Sequence, residues 1–180
     1  MAEIHKVEKN TLSIKLNSLN ILVFVFIMMV SRLIPHPPNL TPTIILSLLL
    51  SRVFPKKIAA GVFMLSQFFS DILLGFIYHY AFWGSWSVFV YSGLIFIILF
   101  FRFNFIQGIV ATFLFWCWTN VGVFLFSGLY VFSWAGLLNC YGLALPFLGY
   151  SILGTVFYYS LICLFALDSV PSNRVFFTAL

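Results

Sequence analysis

The chain has 180 residues, of which 63% are hydrophobic, 21% aromatic and 7% charged, with a formal net charge of +5. A soluble domain carries about 25% charged residues. No soluble fold of this size hides so much apolar surface, so the composition implies one integral membrane domain whose solvent is lipid. The basic residues fall at the ends of apolar runs, which reads as a topology signal and not as a nucleic-acid surface.

Residues 1–19 are mixed and polar, with Lys6, Lys9 and Lys15 against Glu3 and Glu8, and are expected to form a cytoplasmic N-terminal segment. The apolar run Asn20–Ile34 follows it. A charged leader before a short apolar core resembles a signal peptide, but no small-x-small cleavage site comes after it, so this run is expected to stay as a first spanning helix. The chain then passes through Ser31–Pro42, which holds Pro35, Pro37 and Pro38. Proline fixes φ, lacks an N–H and pushes the preceding residue away from the helix, so the stretch is expected to be a stiff, extended connector. His36 and Asn39 stand between its prolines.

The next apolar runs are Pro42–Phe54, Ile58–Tyr78, Trp86–Phe101, Phe105–Phe126 and Leu143–Leu167, the last preceded by an aromatic- and glycine-rich outer loop, Ser127–Gly142. A cytoplasmic N-terminus and six crossings put Lys6, Lys9, Lys15, Arg52, Lys56, Lys57, Arg102 and Arg174 inside, with only Arg32 near the outer face. Each loop then obeys the positive-inside rule, whereas a re-entrant second run would break it. The reading is therefore an all-α protein of six transmembrane helices with both termini cytoplasmic. Residues 20–167 are its membrane domain and 168–180 a cytoplasmic tail.

Asp71 lies well inside the third run and Arg32 at the outer turn of the first. A charge at the bilayer centre costs roughly 2.5–3.5 kcal/mol on insertion scales, so Asp71 needs a partner. Arg32 is the basic residue on its side of the membrane, and a structural ion pair between helices one and three is expected; Asp71 facing a ligand is the other reading. The remaining polar groups gather on the same side: His36, Asn39, His79, Thr119, Asn120, Asn139 and Tyr141, with Trp83, Trp86 and Trp134 at belt depth. Asn120 stands in an apolar run and needs a hydrogen-bond partner. A pocket in the outer half is expected to have His36 and Asn39 as wall and Asp71 and Asn120 as floor. Trp118, Trp134 or Tyr141 would stack on a planar ring.

The inner half is almost purely Leu, Ile, Val and Phe, which gives no support to a channel or a stand-alone ion-coupled carrier. Cys117, Cys140 and Cys163 form neither a disulfide framework nor a metal cluster, and no cofactor or metal is expected. Gly-x-Ser-x-Gly, His-Glu-x-x-His, paired intramembrane aspartates and a phosphate-cradling loop do not occur, so the reading is not an enzyme.

The proline-rich loop Ile34–Pro42, the short helix, the basic turn Arg52–Lys57 and Ser70-Asp71-x-x-Leu74-Gly75 resemble the substrate-binding (S) components of energy-coupling factor (ECF) vitamin transporters. Pro-His-Pro-Pro-Asn-x-Thr-Pro, Ser-Asp-x-x-Leu-Gly-x-x-Tyr-His and Thr119-Asn120-x-Gly122-Val123 resemble an uncharacterised bacterial family of similar length that shares that fold. The resemblance implies a multi-pass protein of the bacterial inner membrane. It would capture a vitamin-like small molecule from outside, and an ATP-driven module would reorient it. Helix one reads Leu-Val-Phe-Val-Phe-Ile-Met-Met-Val, without the alanines on which S components commonly dock that module. In size and layout the chain also resembles small membrane scaffolds of the cell-shape machinery, of the MreD kind, which would organise an envelope complex and carry no ligand.

Overall fold

The computed structural model describes residues 18–79, 84–85 and 87–168, with side chains for those between 21 and 164. Lys6, Lys9, Lys15, Trp83, Trp86 and Arg174 lie outside the described residues, as does most of each expected terminal segment. The described chain forms six helices and no strand: α1 Ser18–Leu33, α2 Thr43–Val53, α3 Lys56–Tyr78, α4 Ser87–Phe100, α5 Phe105–Phe126 and α6 Trp134–Asp168.

Three helices are long and apolar enough to cross a membrane, α3, α5 and the Trp134–Leu164 part of α6. The other three have 16, 11 and 14 residues, below the roughly 20 that a helical span needs. Six apolar runs became six helices, but only three are membrane-length on their own. The rest of the six-span expectation depends on how the short helices are completed.

α2 is the axis of the bundle. It packs against α3, α4, α5 and α6, while α1 packs chiefly on α3 and α5 chiefly on α6. Ile45, Leu48 and Leu50 are sealed on it, and Phe63, Leu94, Ile97, Ile98 and Ala111 close around them. Outward faces are apolar as well: Leu22, Phe26, Phe76, Phe100, Leu129 and Leu153 are each more than half exposed.

α4 and α5 meet through reciprocal glycines. A Cβ on Gly93 would meet the rings of Trp118 and Phe115, and one on Gly122 would meet Phe89. Close helix approach of this kind needs a missing side chain on each helix in turn.

α6 corrects the sequence reading. Residues 134–142 were expected in a loop, yet they are helical. Ser133 caps the helix, its Oγ accepting from Gly136 N at 3.0 Å, while Leu137 N donates to the Ser133 carbonyl at 2.9 Å. Serine before a helix satisfies an orphan N–H in this way. Pro146 then sits inside α6, where it withholds an N–H from the carbonyl of Gly142. Membrane helices tolerate such prolines because neighbours supply replacement bonds.

The candidate cavity beneath the proline loop

The proline loop is a turn and not the extended connector expected from its prolines. Leu40 N donates to the Pro37 carbonyl at 3.1 Å, and Asn39 between them has φ 64°. Proline at the first corner and asparagine in the left-handed region at the second are the residues of a type II turn. The loop then lies on α6, where a Cβ on Gly154 would come 3.3 Å from the Thr41 carbonyl oxygen. A Cβ there would be tighter than an ordinary contact, so glycine eases the close approach of the two backbones.

Beneath this turn is a cavity of about 500 Å³. Asn39 and Thr41 of the loop line it, with Gln67 of α3, Thr112, Trp116 and Asn120 of α5, and Ala144 and Ser151 of α6; Arg32 of α1 reaches its edge. Its α5 wall follows helical phase, through 112, 116, 119, 120 and 123.

Besides Asn39 of the loop, two helix-borne carboxamides face this space differently. Asn120 donates from Nδ2 to the Trp116 carbonyl at 2.8 Å and accepts nothing at Oδ1 among the described residues. Gln67 is only 4% exposed, and its side-chain amide makes no hydrogen bond among the described residues. Its amide atoms are reached from the cavity and are not sealed in the core. Leaving such a group unpaired in a dry site costs about 1–3 kcal/mol. Gln67 was missed in the sequence, although the argument applied to Asn120, an amide in an apolar run, covers it equally.

Arg32 and Asp71 are ion-paired, Nη1 to Oδ1, at 2.7 Å. Arg32 also donates to Ser70 Oγ and to the Gln67 carbonyl, and Tyr91 donates its phenolic O–H to Asp71 Oδ2 at 2.6 Å. Both carboxylate oxygens are thus engaged, and the network ties α1, α3 and α4 together. Asp71 stands behind the cavity wall and does not line it.

The other residues singled out from sequence separate. His36 turns back on its own loop, with Nδ1 2.9 Å from the Pro37 carbonyl oxygen. Trp118 faces α4, donating Nε1 to Ser92 Oγ at 3.0 Å and packing on Phe89 at 5.0 Å. At about 100° per residue it lies on the face of α5 away from Trp116 and Asn120. Tyr141 latches α6 to α5 through the Cys117 carbonyl at 2.7 Å. Trp134 is 82% exposed at the start of α6. None of these four lines the cavity.

The aromatic residue that does is Trp116. It is held by its indole N–H on the Ala144 carbonyl at 3.0 Å and by an edge contact with Tyr141 at 5.2 Å. A buried hydroxyl pair, Thr112 Oγ1 to Thr155 Oγ1 at 2.7 Å, completes the α5–α6 seam below it. Thr112 donates in turn to the Gly108 carbonyl, so the pair is satisfied.

Residues 13–174 match a protein family described as a family of unknown function (DUF6580), and the chain belongs to that family. No curated protein and no solved structure matches it.

Proposed function

We propose that this family member is a membrane subunit that captures a small, hydrogen-bonding, vitamin-like molecule in the cavity beneath its proline loop. The observation that carries the reading is Gln67, a nearly buried amide in an apolar helix whose partners must come from the cavity. Water can occupy it when the cavity is empty, and a ligand carrying complementary donors and acceptors replaces that water. Asn120 Oδ1 and the Asn39 amide add direction, and the fixed indole of Trp116 adds a flat wall. A few convergent polar groups in an otherwise apolar cleft of this size are what small-molecule sites need.

The proposed setting is the bacterial inner membrane, crossed six times with both termini in the cytoplasm. Positive charge supports it, because Arg52, Lys56, Lys57 and Arg102 all sit at the turns opposite the proline loop. The exposed apolar faces of α1, α3 and α6 support a lipid solvent. At 1.5 Å per residue α2 spans about 17 Å, roughly half the hydrocarbon core. The loop before it makes up the distance, and non-helical backbone is tolerated at that depth where it lines a cavity. The likeness to ECF S components adds a module that would reorient the chain, docking on some surface other than an alanine patch on α1.

The scaffold reading of the MreD kind has one observation on its side. The Arg32–Asp71–Tyr91 network is satisfied within the protein and needs no ligand. The deciding experiment is mass spectrometry of small molecules released from the purified, folded protein, compared with Gln67→Leu and Trp134→Ala. The wild type and Trp134→Ala should carry the same molecule, and Gln67→Leu should retain about tenfold less of it, with unchanged elution. Equal retention in all three would move the site away from Gln67, and cell-shape proteins co-purifying with no small molecule would hand the function to the scaffold.

A further inference from the structure

At the opposite end of the bundle a second cavity, of about 320 Å³, is walled by Ser51, Arg52, Lys56, Phe101, Arg102 and Phe103. Its cations come from two separate turns, α2–α3 and α4–α5. The Arg52 guanidinium is held over the Phe103 ring at 5.8 Å. Lys56 Nζ donates to the Leu99 carbonyl. The Arg102 backbone is pinned by its N–H on Gln107 Oε1 at 2.6 Å, while its guanidinium makes no hydrogen bond among the described residues.

Asp71 is the one carboxylate among the described side chains, and it is paired with Arg32 at the other end. Nothing described therefore neutralises these three cations. α3 also begins here, with Pro55 before it and no side-chain cap on its first N–H groups. α5, by contrast, has Asn104 Oδ1 accepting from Ile106 N at 2.9 Å. An uncapped helix start beside guanidinium and ammonium side chains that line one cavity suits the oxygens of a phosphate.

We propose that this cavity is a phosphate-binding site that takes the headgroup of an anionic phospholipid. The positive-inside rule explains why basic residues gather at this end. It does not explain why Arg52, Lys56 and Arg102, all exposed, share one cavity while Lys57, equally exposed and next in sequence to Lys56, stays outside it. Basic pockets between membrane helices on the cytoplasmic side bind lipid headgroups in this manner. The lipid source rests on the membrane setting proposed above, but not on ligand capture, whose test reads the other cavity.

Lys57 supplies the control. Native mass spectrometry of the full chain in detergent, with added phosphatidylglycerol or phosphatidylcholine, counts the lipids retained. Wild type and Lys57→Ala should hold phosphatidylglycerol in preference to phosphatidylcholine. Arg102→Gln, which breaks no described side-chain bond, should retain it about fivefold less, and Arg52→Ala combined with Arg102→Gln less again. In a parallel arm, inorganic phosphate raising the melting temperature of the wild type but not of Arg102→Gln, without lipid retention, would support the phosphate site with a soluble source. Equal loss on Lys57→Ala and Arg102→Gln would overturn the proposal, because only diffuse surface charge is then at work. Equal retention of the two lipids would overturn it as well.

Discussion

At the proline-loop end, Arg32 is bonded to Asp71, Ser70 and the Gln67 carbonyl, and the carboxylate is capped again by Tyr91. At the other end, Arg52, Lys56 and Arg102 surround a cavity with no described carboxylate among them. The difference follows from burial, since Arg32 and Asp71 are largely covered whereas Arg52, Lys56 and Arg102 are exposed. A charge within a helical span loses its water and must find a protein partner, whereas cations in a turn keep access to water and headgroups. The paired end presents uncharged amides to its cavity, which the proposed function assigns to a ligand, and the other end presents cations with no described carboxylate, which the further proposal assigns to a phosphate.

The largest effect should come from breaking the pair. Arg32→Ala or Asp71→Ala strands the other charge and should lower stability by about 2–3 kcal/mol, less than for a fully buried pair because each side chain keeps some exposure. Arg32→Met with Asp71→Leu should recover most of that loss, read as the melting temperature and monodisperse yield in detergent. Lys57→Ala, an unpaired charge removed, should stay within about 0.5 kcal/mol of wild type. If Lys57→Ala costs as much as Asp71→Ala, the contrast between the ends is wrong.

A smaller effect is expected where the loop meets α6. Gly154→Val places carbon against the Thr41 carbonyl and should push the loop off the helix, at a cost of about 1–3 kcal/mol. Ligand retention should fall with it, while phosphatidylglycerol retention at the far end should not change. Loss of both would mean that the two cavities are coupled through α2.

The smallest perturbation only reads position. In a chain whose Cys117, Cys140 and Cys163 are replaced by alanine, single cysteines at His79 and Lys57 should react with an impermeant maleimide from opposite sides of the membrane. Labelling of both from one side would remove α3 as a crossing and with it the six-span layout.

Much of the architecture was open to reading along the chain. The run Phe105–Phe126 is α5 residue for residue, and four others fall within two residues of their helices at each end. Hydropathy sets these limits locally, since lipid penalises each polar residue wherever the helix goes. α6 starts earlier than expected because the aromatic- and glycine-rich stretch up to Gly142 reads as a loop in sequence, whereas Ser133 caps a helix there.

The candidate site was less legible. Choosing Trp118 over Trp116 is an error of helical phase. Both tryptophans of α5 are equally apolar in sequence, and only the packing of α5 on α4, through Gly93 of α4 and Gly122 of α5, fixes which face turns inward. Tyr141 reads in sequence as one of three candidate stacking rings, but its hydroxyl is committed to a carbonyl of α5. Gln67 is as legible in sequence as Asn120, an amide in an apolar run that needs a partner, but that need does not say whether a neighbour or a void stands before either one.

Composition and charge placement by themselves determined that the chain is helical, apolar on its outside and basic at one end, because solvent acts on each residue separately. Tertiary structure alone decided which polar groups satisfy one another and which are left facing a cavity. That outcome depends on the rotation of each helix about its axis, which is set jointly by all its neighbours. Asp71 and Gln67 are four residues apart on α3. Packing gave the first two partners within the protein and left the second to the cavity.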